Sequence, residues 1–207
     1  MAAQNPISTN PRSSFRVLPT ELWLQILEDT SINEAEHLWI SVRHTCRQFR
    51  DYVERLFVTT YLPRFAISLT LPRRDAESGA LLWPGTIPKA ELIMALDRAK
   101  SDNKLAAFVS PTELKYEDRV KSVEELKDSD TLPKARMVEA KAWVFVDKSY
   151  ISGRSLQLSR YIEWDEQSKR WVWQLEWRDL ISRFYKSKIE ARESKLRKLQ
   201  AMAIRRR

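Results

Sequence analysis

The sequence predicts an α+β fold, with an N-terminal three-helix segment, a small antiparallel β-sheet domain after it and a basic helix at the C-terminus. Apolar residues recur at helical spacing before residue 62, and after residue 63 they alternate with polar residues as in half-buried strands. The hydrophobic content of 43% and the charged content of 31% are typical of a globular protein. With only 3 glycines and no visible period, the chain gives no support for a repeat architecture.

The first helices follow a polar N-terminal stretch. Residues 1–14 contain two prolines and few apolar residues, so we expect a disordered lead-in there. Pro19 suits the first turn of the helix that follows. A second helix is predicted for residues 34–44, capped by Asn33, and a third after Thr45. The apolar stripe of the first helix consists of Leu18, Leu22, Ile26 and Leu27.

The middle of the chain shows mixed patterns. Residues 65–71 alternate between apolar and polar or small side chains and predict a half-buried strand. Residues 88–100 are predicted to be helical, with a proline near the start. Residues 105–109 predict a short strand and residues 117–127 a short charged helix. The apolar run at 143–146 predicts a further strand.

The strongest β pattern lies near the C-terminus. Two alternating segments flank a polar turn at residues 165–169, which predicts an antiparallel hairpin. A helix is predicted from Arg178 onward, packed at its start and protruding at its end. The register that puts both apolar sets of the hairpin on one face pairs Trp164 with Trp171, Ile162 with Trp173, and Leu158 with Trp177.

The positive charge is concentrated in the tail. Lys186 to Arg207 contains nine Lys and Arg residues and two Glu, a net charge of +7 out of +8 for the whole chain. The high isoelectric point is therefore mainly a property of the tail, whereas a nucleic-acid-binding domain carries its charge on a folded face. A solvated helix end is the plain interpretation of this tail, and a nuclear-localisation or nucleic-acid role is the functional one.

Residues for catalysis or metal binding are scarce. Cys46 is the only cysteine, which excludes an intrachain disulfide and favours a reducing compartment. His37 and His44 are the only histidines, too few for a zinc site or for a Ser-His-Asp set elsewhere. We predict no catalytic residue, no metal and no cofactor. Without a signal peptide or an apolar run of about 18 residues, the protein is expected in the cytoplasm, the nucleus or both, with no membrane contact.

Several short sequence motifs follow one another in the N-terminal segment. They are Leu18-Pro19-Thr20-Glu21-Leu22, Ile26-Leu27, Val42, and Cys46-Arg47-Gln48-Phe49-Arg50. Each piece alone is degenerate, whereas the ordered set is much more specific. Together they make residues 15–62 resemble the F-box family, while the rest of the chain resembles none of the usual substrate-binding repeats.

This resemblance implies a non-catalytic function. An F-box is a three-helix unit that binds a Skp-type adaptor, and the adaptor in turn binds a cullin. The chain would then be the substrate receptor of a Skp–cullin–F-box ubiquitin ligase, with residues 63–185 holding a protein target and residues 186–207 forming a basic helical tail. The adaptor-binding residues implied by the resemblance are Leu18, Pro19, Leu22, Ile26, Val42, Cys46 and Phe49.

Elementary physics agrees with an incomplete helical unit. A segment of about 50 residues buries little apolar surface and is at best marginally stable alone, so we expect either the C-terminal domain or a partner to cover its apolar stripe. In the hairpin, Trp164, Trp171 and Trp173 are either sheet core or a substrate-facing surface.

Two alternative functions stay open. One is a basic nucleic-acid-associated protein, for which the tail is weak support, and the other is an adaptor-bound scaffold without a ligase role.

Overall fold

The structure, a computed structural model, describes residues 18–31, 34–71, 73–74, 81–82, 91–116, 119–147, 149–159 and 161–205. The expected lead-in at residues 1–14 and the predicted cap at Asn33 lie outside these ranges. Within them, the chain forms a helical N-terminal segment, an antiparallel sheet and a long C-terminal helix, which confirms the α+β class.

A seven-stranded antiparallel sheet forms the centre of the fold, with strand order β10-β11-β5-β4-β1-β8-β9. Because each paired strand runs antiparallel to its neighbour, the sheet can be built without helical crossovers between parallel strands. Its strands are β1 (Phe65–Thr70), β4 (Glu91–Asp97), β5 (Leu105–Val109), β8 (Lys141–Val146), β9 (Ser149–Leu156), β10 (Ile162–Asp165) and β11 (Arg170–Glu176). Two short ribbons pair β2 (Arg73–Arg74) with β3 (Leu81–Leu82) and β6 (Glu113–Tyr116) with β7 (Arg119–Ser122).

Six α-helices occur among the described residues. They are α1 (Thr20–Glu28), α2 (Ala35–Ile40), α3 (Arg47–Leu56), α4 (Val123–Asp128), α5 (Lys134–Glu139) and α6 (Trp177–Arg205). A 3₁₀ turn at Val42–His44 joins α2 to α3, and a π-helical turn at Phe57–Tyr61 continues α3. A reciprocal capping box formed by Ser122 and Glu125 begins α4. The charged helix predicted at 117–127 is therefore wrong over Arg119–Ser122, which pairs with β6 as strand β7, and is present only from Val123.

The hairpin of β10 and β11 has the predicted register at its centre. Trp164 pairs with Trp171 and Ile162 pairs with Trp173, while the polar turn reverses the chain at residues 166–169. Lys169 ends this turn with φ at +52°, in the left-handed region. The strands predicted at 65–71, 105–109 and 143–146 are confirmed as β1, β5 and part of β8.

Two further predictions of local structure were wrong. The segment predicted as a helix at 88–100 contains strand β4, because Leu92 and Met94 alternate with Ile93 and find partners on β1. Leu158 does not pair with Trp177, since β10 begins at Ile162 and Trp177 is the first residue of α6. In both cases the local sequence is compatible with a helix or a strand, and contacts with other parts of the fold decide which one forms.

The core lies between one face of the sheet and the helices. Ile67 of β1, Met94 of β4 and Val144 of β8 are neighbours on that face and are completely buried. Phe184 of α6 packs edge-on against Phe65, with 5.2 Å between ring centroids. Buried residues of the N-terminal helices belong to the same contiguous cluster. The sheet and α6 therefore form the support on which the N-terminal helices are placed.

Candidate functional site

One side of the N-terminal helices is buried against α6. Trp39 of α2 lies 5.9 Å from Trp177 and 4.7 Å from Phe57, measured between ring centroids. Its indole Nε1 donates a hydrogen bond of 3.0 Å to Ser182 Oγ on α6. Phe57 also packs edge-on against Tyr185. A large part of the apolar surface of this segment is thus covered by the chain's own C-terminal helix.

Glu54 of α3 adds an ionic clamp to this interface. Arg43 Nε donates to Glu54 Oε1 at 2.9 Å, and Arg178 Nε donates to Glu54 Oε2 at 2.8 Å. Burial alone would raise the pKa of Glu54, but the hydrogen bonds and charges of the two guanidinium groups outweigh it and lower the pKa. The clamp therefore keeps an ionised carboxylate between the N-terminal helices and α6.

The opposite side of α1 is open. Leu22 and Ile26 are 43% and 52% exposed and lie four residues apart on one side of α1, and Leu18, two residues before the helix begins, is 41% exposed. We call these three residues the α1 stripe. Leu27, one position further on, points the other way and is buried. Thus α1 separates its apolar residues into a buried side and an uncovered side.

The remaining residues of the predicted adaptor surface differ in exposure. Pro19 and Cys46 are exposed, whereas Val42 and Phe49 are half-buried and pack against the core cluster. The Phe49 ring lies edge-on to Trp23 of α1, with 5.0 Å between centroids. Trp23 was missed as a contributor, although its position four residues before Leu27 could have indicated that it faces α3.

The tryptophans of the hairpin are mostly core. Trp171 and Trp173 are each 3% exposed, so their indole rings cannot contact a target, and this corrects their predicted substrate-facing role. The physical reason is the alternation itself, which turns both rings toward the face covered by helices. Trp164 is half-buried, 5.2 Å from Trp171, with Lys127 Nζ 4.9 Å above its ring.

The other face of the hairpin carries a cleft of about 440 Å³. Tyr161, Glu163, Val172 and Gln174 lie on this outer face because they alternate with the buried positions, and Lys100 and Asp165 close one end. Hydrogen bonds and charge from Lys100, together with hydrogen bonds from Ser168 and the Gln167 N–H, hold the pKa of Asp165 well below its usual range. We call this cavity the outer cleft.

No group of three His, Cys, Asp or Glu side chains that could hold a metal ion occurs among the described residues. Within the same ranges, none of the helices has the length and apolar character needed to cross a membrane. The chain matched no family model, no curated protein and no solved structure.

Proposed function

We propose that this chain is the substrate-receptor subunit of a Skp–cullin–F-box ubiquitin ligase, with α1 to α3 acting as the F-box. The observation that carries the proposal is the exposed α1 stripe on helices whose other side is already buried on α6. The sequence pieces that resemble the F-box family include all three residues of that stripe.

The division of α1 into two sides fits an interface better than a free surface. Large apolar residues scattered singly are common on protein surfaces, whereas Leu22 and Ile26 lie one helical turn apart and exposed Leu18 precedes them just before α1 begins. Apolar residues at this spacing are the usual anchors of a helix that packs against a partner helix or groove. Exposed Pro19 and Cys46 and half-buried Phe49 belong to the same segment.

The proposed mechanism involves no bond chemistry in this chain. A receptor acts by holding a target close to the conjugating enzyme, which raises the effective concentration of the target's lysines. The outer cleft is the proposed target-facing surface, because Tyr161, Glu163 and Gln174 offer an exposed aromatic ring and polar groups on the sheet face away from α6. It takes over the role first assigned to the buried tryptophans.

The test is binding to a purified Skp-type adaptor, comparing the wild type with a Leu22→Ala plus Ile26→Ala variant. We expect the wild type to form a complex and the variant to weaken it at least 30-fold, since a central apolar anchor typically contributes about 2 kcal/mol or more. Both residues are exposed, so the variant should keep the melting temperature of the wild type.

The matched control carries Ile93→Ala plus Val120→Ala, two exposed apolar residues far in sequence from α1, α2 and α3. It should bind the adaptor as tightly as the wild type, also at 0.5 M salt, where phosphate-backbone contacts would be much weaker. A wild-type protein that does not bind contradicts the receptor proposal. Equal binding by the wild type and the α1 variant contradicts the assignment of the contact surface.

A further inference from the structure

The outer half of α6 projects beyond the folded body. The helix has 29 residues, which corresponds to a length of about 43 Å. Its first half contributes Leu180, Ile181, Phe184 and Tyr185 to the core. From Glu190 to Ala203, in contrast, every residue is exposed. This half therefore contributes little to the packing of the fold.

The side of α6 that packs on the core nevertheless continues outward as an apolar row. Leu199 and Met202 follow Ile181 and Phe184 by eighteen residues, which is five helical turns, so each pair lies on the same side of the helix. Leu196, Leu199 and Met202 are 56%, 53% and 58% exposed. We call these three residues the α6 stripe.

A row of positive charge runs beside the α6 stripe. Arg192, Lys195 and Lys198 each precede a stripe residue by four positions and so lie one turn below it on the same side. Of the two acidic residues of this half, Glu190 lies on the opposite side, whereas Glu193 lies three residues before Leu196, at the edge of the stripe, and is 3.4 Å from Arg197. This side of the helix is therefore both apolar and positively charged.

We infer that the α6 stripe is a target helix for an acidic protein groove lined by methionines, the kind that Ca²⁺ opens in EF-hand sensor proteins. Such grooves bind amphipathic helices through apolar anchors three or four residues apart, and their acidic rims complement basic flanks. Polarizable methionine side chains adapt to an irregular set of anchors such as Leu, Leu and Met.

Other occupants fit the same side less well. A second copy of this chain would bring two rows of positive charge together. A membrane-surface helix usually inserts aromatic residues with its leucines, and residues 186–207 contain no Phe, Trp or Tyr. The phosphate backbone of a nucleic acid would use the lysines and arginines but would leave the α6 stripe uncovered. The inference is independent of the adaptor proposal, because it concerns a different surface.

The probe for the test is calmodulin, titrated into the full chain by calorimetry in the presence of Ca²⁺ and again in EGTA. We expect a one-to-one complex with Ca²⁺ and at least a 100-fold weaker affinity in EGTA. A Leu196→Ala, Leu199→Ala, Met202→Ala variant should lose at least 100-fold in affinity with unchanged helicity, since alanine is the best helix former. The control variant Glu190→Ala plus Ser194→Ala alters the opposite side and should bind like the wild type.

The inference is overturned if no complex forms with Ca²⁺, if binding is the same in EGTA, or if the triple alanine variant binds unchanged. Three parallel measurements test the other occupants: sedimentation of the free protein, binding to vesicles of phosphatidylcholine and phosphatidylserine, and binding to a short DNA duplex. Self-association, vesicle binding or duplex binding that disappears in the triple variant would assign the α6 stripe to that occupant and overturn the inference.

Discussion

At the residue scale, Glu54 joins segments that are far apart in sequence. Its two carboxylate oxygens accept hydrogen bonds from Arg43, beside α3, and from Arg178, at the start of α6. Each guanidinium also lies over a tryptophan of the same interface, Arg43 over Trp39 and Arg178 over Trp177. The ionic clamp and the stacked rings therefore form one cluster.

We predict that Glu54→Gln lowers the free energy of unfolding by about 2 kcal/mol, because hydrogen bonds to charged groups contribute about 1.5 to 3 kcal/mol and two guanidinium groups lose their counter-charge. Urea denaturation at pH 7 measures the effect. The control is Asp179→Asn, which removes an exposed pair with Arg183 and should change stability by less than about 0.5 kcal/mol. Equal losses in both variants would contradict the clamp.

The stabilisation provided by Glu54 should depend on pH. The pKa of Glu54 is lower in the folded protein than its ordinary value of 4.5, so the unfolded chain binds the proton more readily. The stabilisation is complete above about pH 4.5 and is lost as the pH falls through the folded pKa. The stability difference between the wild type and Glu54→Gln should therefore narrow below pH 4.5, and a gap that is constant down to pH 3 would refute the prediction.

Gly153 is needed for a close approach between β8 and β9. A Cβ atom at this position would lie 2.6 Å from Trp143 Cε2 and 2.8 Å from its Cδ1. We predict that Gly153→Ala destabilises the protein by about 1 to 3 kcal/mol, because the indole must shift within a packed surface. Urea denaturation checks it, with Ser155→Ala on the same strand as the control. If Gly153→Ala is as stable as the wild type, the indole moves freely.

At the element scale, α6 has two halves with different roles. The first half fills the core, while the residues from Glu190 outward are exposed and touch the body through partly exposed ion pairs such as that between Arg192 and Glu36. We predict that ending the chain after Glu190 lowers the melting temperature by less than about 4 °C, since such a pair contributes under about 1 kcal/mol. Phe184→Ala should instead cost about 3 to 5 kcal/mol. Thermal melts followed by circular dichroism distinguish these outcomes, and a large loss on truncation would show that the outer half packs on the body.

Local pattern was sufficient for some elements and not for others. The hairpin was predictable because its two alternating segments are adjacent in sequence and its turn residues are polar, so register follows from alternation alone. Strand β4 could not be predicted from its own sequence, because its seven residues fit a helical pattern equally well. Its pairing with β1 decides in favour of a strand. The α1 stripe and Cys46 were named from the sequence, whereas Trp23 and the outer cleft depend on contacts between distant segments.

At the scale of the whole molecule, the N-terminal helices and the sheet share one core. Buried residues on both sides of the predicted boundary after residue 62, such as Phe57 and Tyr185, belong to one cluster. The strand order, in which β5 lies between β4 and β11, could not be read from the sequence because it joins segments more than sixty residues apart.

A shared core predicts cooperative unfolding. Urea transitions followed by tryptophan fluorescence and by far-ultraviolet circular dichroism should coincide, as expected for a single two-state unit. Residues 15–62 expressed alone should lack near-ultraviolet dichroism, because the isolated segment would expose Trp39, Val53 and Phe57 to water. Two separate transitions, or a folded fragment, would instead identify an independent helical domain.

The contacts of Trp39 and Glu54 with α6 also determine how the molecule can move. Because the N-terminal helices rest directly on the helix that supports the sheet, the described residues contain no flexible joint between the α1 stripe and the outer cleft. In a receptor built this way, a captured target could not swing toward the conjugating enzyme. The orientation in which the target docks would therefore decide which of its lysines the conjugating enzyme can reach.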